Sequence, residues 1–240
     1  MHKFEVPAEL AERIATRRGR PHAFDAIDPA RTALLVIDMQ RTFMDPGAPS
    51  EVPVAREIVT NINRLSRALR NSGGIVAFSV ATFPQVPAGG WNSFFDYMVS
   101  QDVADAILKG LAPGSEGRAL WPELEVEPED IKFDKARYSA FARYGSEIEK
   151  ELVARDIDTV IVVGTMTNLC CDSTARDAMQ LGYKTIMVSD ANAARSDAEH
   201  QAALLTFMAS FGDVRTTEDM LRLIREGAAQ AGNAKASAAE

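Results

Sequence analysis

Histidine is scarce in this chain of 240 residues: His2, His22 and His200 are the only three. Cysteine is scarcer still, with Cys170 and Cys171 side by side and no others. Adjacent cysteines form at best a strained disulfide, so a cross-linked framework is excluded and a reducing compartment is the natural setting. Positive charge is in deficit as well, with 26 Lys and Arg against 34 Asp and Glu and a net charge of -8. Without a basic surplus to neutralise phosphates, a nucleic-acid partner is not expected, and Arg17-Arg-Gly-Arg20 reads as a solvated segment. No apolar run approaches the ~20 residues that span a bilayer, so no membrane partner is expected either. The start, Met1-His-Lys-Phe-Glu-Val-Pro7, lacks the apolar core of a signal peptide. These absences together predict a soluble, cytoplasmic protein.

What is present is ordinary globular material, 46% apolar and 25% charged, enough for a substantial core. Apolar strand-like runs recur between helical patterns: Thr32–Asp38, Gly74–Val80, a weaker Asp130–Asp134, Asp158–Val163, Tyr183–Ser189 and a short Asp213–Thr216. Helical periodicity lies between them, over Val54–Asn71, Gly145–Arg155, from about Cys171, over Ala198–Phe211 and over Glu218–Glu226. Strands alternating with helices imply parallel pairing through right-handed crossovers, hence an α/β three-layer α-β-α sandwich. No repeat or linker divides the chain, so one domain over residues 31–226 is predicted. Residues 1–30 form an N-terminal extension with a short helix (Ala8–Arg17), packed on the surface or on a neighbouring subunit. The Ala- and Gly-rich tail 227–240 is expected to be disordered. Residues 81–129 form a long insert of the kind that covers a substrate site.

In an open parallel sheet, ligands bind beyond the carboxyl ends of the strands, where strand order reverses. Three polar or reactive residues fall at such ends: Asp38, Lys135 and Cys170. Singly, each has a plain structural reading, as a cap, a solvated lysine and a small buried hydrophobe. Cys170 follows the apolar run Thr159–Val163 and the polar turn at Gly164, Thr165, Thr167 and Asn168. That turn delivers its thiol to a helix N-terminus, where unpaired N–H groups and the helix dipole favour a thiolate and can hold an oxyanion. A nucleophilic thiol also needs a base and a nearby positive charge. Asp38 is the proton acceptor available, because no His lies in these segments. Lys135 can supply the positive charge and hold the carboxylate.

At these residues the sequence resembles the isochorismatase-like cysteine hydrolase superfamily. The resemblance rests on Leu35-Val-Ile-Asp-Met-Gln-Arg-Thr-Phe43, on Lys135-Ala-Arg-Tyr-Ser-Ala-Phe141 and on Gly164-Thr-Met-Thr-Asn-Leu-Cys-Cys-Asp-Ser-Thr-Ala-Arg-Asp-Ala178, and spans roughly residues 30–224. It implies a six-stranded parallel sheet of the Rossmann-like kind and a catalytic triad of Asp38, Lys135 and Cys170. It also implies a non-proline cis peptide around Met166-Thr167 and a homo-oligomer, dimer or tetramer. Backbone N–H groups of the turn, at Met166, Thr167 and Cys170, are the expected oxyanion hole, typically worth ~3 kcal/mol per donor. Some relatives bind a metal through an Asp and paired histidines after the first strand. This chain has no His between residues 39 and 90, so neither metal nor other cofactor is expected.

Cys171 is turned about 100° from Cys170 on a helix and reads as a packing residue. His200, at a helix start, reads as a partly exposed structural residue. Among the aromatics Phe43, Trp91, Phe94, Phe95, Tyr138, Phe141 and Tyr144, the pocket-wall candidates are Phe43, Trp91 and Tyr138. Asn92 could hydrogen-bond an amide or ureido group. The leading functional expectation is a cysteine amidohydrolase, cleaving a C–N bond of a small amide, carbamoyl or ureido substrate through a thioester. The alternative is an isochorismatase-type vinyl ether hydrolase, which needs an acid more than a nucleophile. A nucleotide-binding oxidoreductase would show a Gly-rich loop after the first strand, and Asp38–Phe43 contains no Gly. A non-catalytic binding module gives no reason to keep base, cation and thiol together.

Overall fold

The computed structural model describes residues 1–48, 50–83, 91–142 and 146–237. Six parallel strands form one sheet: β1 (Thr32–Ile37), β2 (Ile75–Ala81), β3 (Ile131–Lys135), β4 (Thr159–Thr165), β5 (Lys184–Ala193) and β6 (Asp213–Arg215), in the order β3-β2-β1-β4-β5-β6. Both β1 and β4 are buried along their whole length, which is why they read as unbroken apolar runs rather than alternating ones. The side chains of β1 still alternate between faces. Leu34 and Val36 enter one core with α3 (Val59–Asn71) and α9 (Thr217–Ser237). Ala33, Leu35 and Ile37 enter the other, with α1 (Ala8–Arg18), α6 (Ile148–Ala154), α7 (Asp172–Gln180) and α8 (Asp197–Ser210). These are the three expected layers.

The chain builds outward from β1 to β2 and β3, then returns to place β4 on the other side of β1. The reversal of strand order therefore falls between β1 and β4, and a crevice beyond their carboxyl ends follows from the topology. Gly164 holds this junction together. It is registered against Ile37, has φ +115°, and a Cβ there would lie 2.2 Å from the Ile37 carbonyl oxygen. Only glycine permits so close an approach.

Several boundaries differ from the sequence expectation. Lys135 is the last residue of β3 rather than the first beyond it, and β5 runs on to Ala193 past a register shift opposite Val162 and Gly164. The 81–129 insert is not all irregular, since it contains α4 (Asn92–Tyr97) and α5 (Gln101–Gly110); residues 84–90 lie outside the described residues. It packs against the short α2 (Arg41–Met44) through a small core of Ala81, Phe83 and Leu111 with Phe43, Trp91 and Phe95 around it. The expected disordered tail is helical as far as Ser237, in continuation of α9. Alanine is the strongest helix former, so an Ala-rich stretch prolongs a helix that tertiary contacts have already nucleated. Gly227 is part of that contact, because a Cβ there would meet the Ile27 carbonyl at 2.2 Å. The N-terminal extension packs on its own chain, with Ile14 buried and Phe4, Val6 and Leu10 against the second core.

Candidate active site

Asp38 leaves β1 with φ +50°, a left-handed conformation that a short polar side chain tolerates better than most. Its N–H donates to Ser79 Oγ at 3.0 Å, and the Ser79 hydroxyl donates back to Asp38 Oδ1 at 2.7 Å. Ser79 stands on the β2 face shared with Ile75 and Ala77, where a buried hydroxyl must find a partner. Lys135 reaches across β2 from its register partner Ala81. Its Nζ lies 2.7 Å from Asp38 Oδ2 and donates to the Arg137 carbonyl at 2.9 Å. Both charged side chains are 1% exposed. Burial works against the Lys135 ammonium, but Asp38 and Cys170 together outweigh it and hold its pKa above the ordinary lysine value.

Gln40 is a second brace. Its amide donates to the Ala81 and Arg118 carbonyls and accepts from Ala81 N–H. One buried side chain thus ties the end of β1 to the end of β2 and to the insert.

Beyond β4 the chain makes a wide π-helical turn, Thr167–Cys171, before α7 begins. Such turns often mark functional sites. A cis peptide precedes it at Thr165-Met166, one bond earlier than the resemblance implies. The turn brings Cys170 close enough to Asp38 and Lys135 for both charges to act on its thiol. Burial pushes the thiol up to about 12, Lys135 lowers it, and the Asp38 carboxylate raises it further. Desolvation is thus the largest influence on the thiol, and Lys135 is the group that opposes it. Cys171 is fully buried in the second core, and burial, then Cys170, hold its thiol well above the ordinary value.

The other predicted residues divide. Tyr138 is half-buried and close enough for Cys170 and Lys135 to act on its hydroxyl, although burial is the largest influence raising its pKa. Its ring meets Trp91 edge-on at 4.7 Å, and Trp91 stacks on Phe94 at 4.7 Å with the Arg137 guanidinium 5.5 Å from its ring. These residues form an aromatic wall from the insert toward the thiol. Phe43 is half-buried between the insert core and the first core, and Asn92 is exposed at the start of α4. Phe141 belongs elsewhere, against the second core and Tyr183, while Tyr144 lies outside the described residues.

His200 departs from expectation. It is wholly buried rather than partly exposed, and its Nδ1 lies 2.9 Å from Thr167 Oγ1 in the turn that carries Cys170. Sequence reasoning also missed Ser79, Gln40 and Arg137. Ser79 alone carried a signal, a hydroxyl inside an otherwise apolar strand. Among the described residues no group of three or more His, Cys, Asp or Glu side chains could hold a metal ion, and no helix is long and apolar enough to cross a membrane.

Comparison with known proteins agrees with this geometry. Residues 32–219 match the Isochorismatase domain. The chain is 31% identical to a ureidoacrylate amidohydrolase of Variovorax paradoxus, over 90% of this chain and 89% of that protein. The crystal structure of a cysteine hydrolase from Pseudomonas syringae superposes with a TM-score of 0.78 at 31% identity, covering 87% of this chain and 99% of the other. That of an N-carbamoylsarcosine amidase from Thermoplasma acidophilum superposes with a TM-score of 0.63 at 25% identity, covering 78% and 97%. With the domain match spanning most of the chain and the six-stranded parallel sheet in place, this protein belongs to the isochorismatase family.

Proposed function

We propose that the protein is a cysteine-dependent amidohydrolase that cleaves a C–N bond of a small amide, carbamoyl or ureido compound through a thioester on Cys170. The observation that carries this reading is the fully buried Asp38–Lys135 ion pair beside the Cys170 thiol, on which both charges act. A structural role gives no reason to bury base, cation and thiol in one place, given what desolvating each of them costs. The names of the relatives, an amidohydrolase of a ureido compound and an amidase of a carbamoyl compound, support the same bond type.

The chemistry follows from the positions. A substrate carbonyl enters beyond β1 and β4 with its oxygen toward the backbone N–H groups of Met166, Thr167 and Cys170. The thiol proton passes to Asp38 as sulfur attacks the carbonyl carbon, and those N–H groups stabilise the oxyanion. Collapse breaks the C–N bond, and the departing ammonia or amine takes the proton from Asp38. Asp38 then deprotonates a water that attacks the thioester carbonyl. A second collapse returns the proton to sulfur and releases the acid. Lys135 holds Asp38 oriented, and its charge offsets the sulfur anion as it forms. Trp91, Tyr138 and Phe43 line the approach, with Asn92 at its outer end as a donor to an amide or ureido oxygen.

An ammonia-release screen over small amides, carbamoyl and ureido acids tests the reading, with mass spectrometry of enzyme quenched during turnover. The expected result is release from at least one class, with an acyl adduct on the Cys170 peptide. Vinyl ether cleavage that persists in Cys170→Ala, with no ammonia or amine from any amide, would instead place the protein with the isochorismatase-type hydrolases.

A further inference from the structure

The mechanism above makes no use of His200, yet this imidazole is bound to the first residue of the turn that carries Cys170. It sits in the first turns of α8 with no exposed surface, and Thr167, its partner at 2.9 Å, is equally buried. A second imidazole covers it. The ring of His2 stacks on His200 with centroids 4.6 Å apart and planes 29° from parallel. His2 is itself fixed at both nitrogens. Nδ1 lies 2.6 Å from Asp197 Oδ1, and Nε2 lies 3.0 Å from Ala194 N. Nε2 also lies 3.0 Å from the Ala194 carbonyl oxygen, so the Ala194 backbone meets this nitrogen whether it donates or accepts.

The segment bearing His2 is pinned along its length. The Met1 ammonium pairs with Glu57, Glu5 N–H donates to Gln201 Oε1 at 3.2 Å, and the Gln201 amide donates back to the Glu5 carbonyl. Residues 1–6 thus lie as a strap from α8 back to Glu57, two residues before α3. For packing alone this arrangement is a poor choice. A leucine at position 200 would fill the space with no polar atom to satisfy, whereas His200 Nε2 is buried with no well-aligned partner. What the imidazole supplies that a leucine cannot is polar contact, with the Thr167 hydroxyl at 2.9 Å and with the Ser189 backbone.

We propose that His200 is a positioning residue for the nucleophile: through Thr167 it fixes the π-helical turn that aims Cys170 at Asp38, and the N-terminal strap, through His2, holds His200 in place. This inference rests on Cys170 being the nucleophile, and it adds that the N-terminal segment supports the reacting thiol. The backbone of the turn is tied within itself, with Cys171 N–H on the Met166 carbonyl and Asp172 N–H on the Thr167 carbonyl. The bond at Thr167 Oγ1 adds a tie from the turn to α8 and so sets how its fourth residue, Cys170, is presented. Displacements of about 1 Å at a reacting centre are enough to lower rates by up to 10²-fold.

The test reads the thiol directly and needs no substrate. The second-order rate of Cys170 alkylation by iodoacetamide is measured on the full chain, with the modified residue identified by fragmentation mass spectrometry. His200→Leu and Thr167→Val each remove the same bond from opposite ends, and each should slow alkylation about tenfold or more. The double variant should be no slower than the single ones. His200→Asn, whose amide nitrogen falls near the place of Nδ1, should recover most of the rate, which a purely space-filling role does not predict. His2→Ala should lower the rate about threefold, less than the direct variants. If His200→Leu does not fold, Thr167→Val and His200→Asn carry the test. Alkylation at the wild-type rate in Thr167→Val or His200→Leu, or independent effects that multiply in the double variant, would overturn the proposal and leave the nucleophile reading intact. A wild-type protein that is not alkylated selectively at Cys170 would overturn both.

Discussion

Replacing Lys135 with methionine separates the role of the ion pair in the fold from its role in the chemistry. The substitution keeps most of the stem and removes the cation 2.7 Å from Asp38 Oδ2, in a place where both side chains are 1% exposed. Asp38 keeps the Ser79 hydroxyl on Oδ1 but loses its compensating charge. Removing one member of a buried pair costs about 3–5 kcal/mol, because the other is left buried and unpaired. Against a total stability on the order of 5–15 kcal/mol, the variant stays folded with a reduced margin. Because the Lys135 pKa is raised, the stabilisation it brings is fully present through neutral pH and is lost only as pH climbs into strong alkali. Urea unfolding at pH 7 is therefore the right assay. Activity should fall on the order of 10²-fold or more, since the loss of the lysine charge makes the thiol harder to ionise as it attacks. The decisive comparison is the double variant Asp38→Asn with Lys135→Met. Two neutral residues of similar shape should restore most of the lost stability while activity stays absent. A single variant with an unchanged unfolding midpoint, or a double variant no more stable than the single one, would refute the picture of a dry and mutually dependent pair.

The two cysteines should separate completely: Cys170→Ala abolishes turnover with the fold intact, and Cys171→Ala keeps most activity, as steady-state rates and circular dichroism will record. A dead Cys171→Ala protein of normal stability would shift the nucleophile by one residue. Burial, with His2 next in weight, lowers the His200 pKa from 6.5 to about 4. The folded state thus refuses a proton that the unfolded chain accepts. Stability should fall as pH drops from about 6.5 through about 4 and then level off, by up to roughly 3 kcal/mol from this residue. Unfolding midpoints of wild type and His200→Asn between pH 7 and pH 4 isolate that share, and parallel curves would refute it.

How much of this was legible in the sequence depended on whether a residue's role is written in its own segment or in a distant one. The strands were legible because parallel strands buried on both faces are continuous apolar runs, and Asp38, Lys135 and Cys170 stood out as polar residues at the ends of such runs. Their meeting in one place required only that strand order reverse between β1 and β4, which the alternation of strands and helices implies without stating. The tail was misread because composition alone cannot tell an Ala- and Gly-rich linker from the continuation of a packed helix. Gly227 signals flexibility by its type, but a contact with Ile27 that lies 200 positions away gives it a fixed place.

The forces on the thiol were only half legible, for a related reason. A helix N-terminus is a local feature, visible in the sequence, and it favours a thiolate. Burial is a property of the whole fold, and at Cys170 it is the largest influence raising the thiol pKa. The same asymmetry explains His200. Its neighbours Ser196-Asp-Ala-Glu describe an exposed helix start, and Ser196 does cap α8 through Glu199 N–H. What encloses the imidazole comes from the nucleophile turn on one side and from the second residue of the chain on the other. The proposed chemistry of the site draws on two layers of contact. The strand-end residues form the first, and they lie in motifs that sequence can reveal. Ser79, Gln40 and His200 form the second, and each earns its place only through a partner about 30 to 40 positions away, as at Asp38, Ala81 and Thr167.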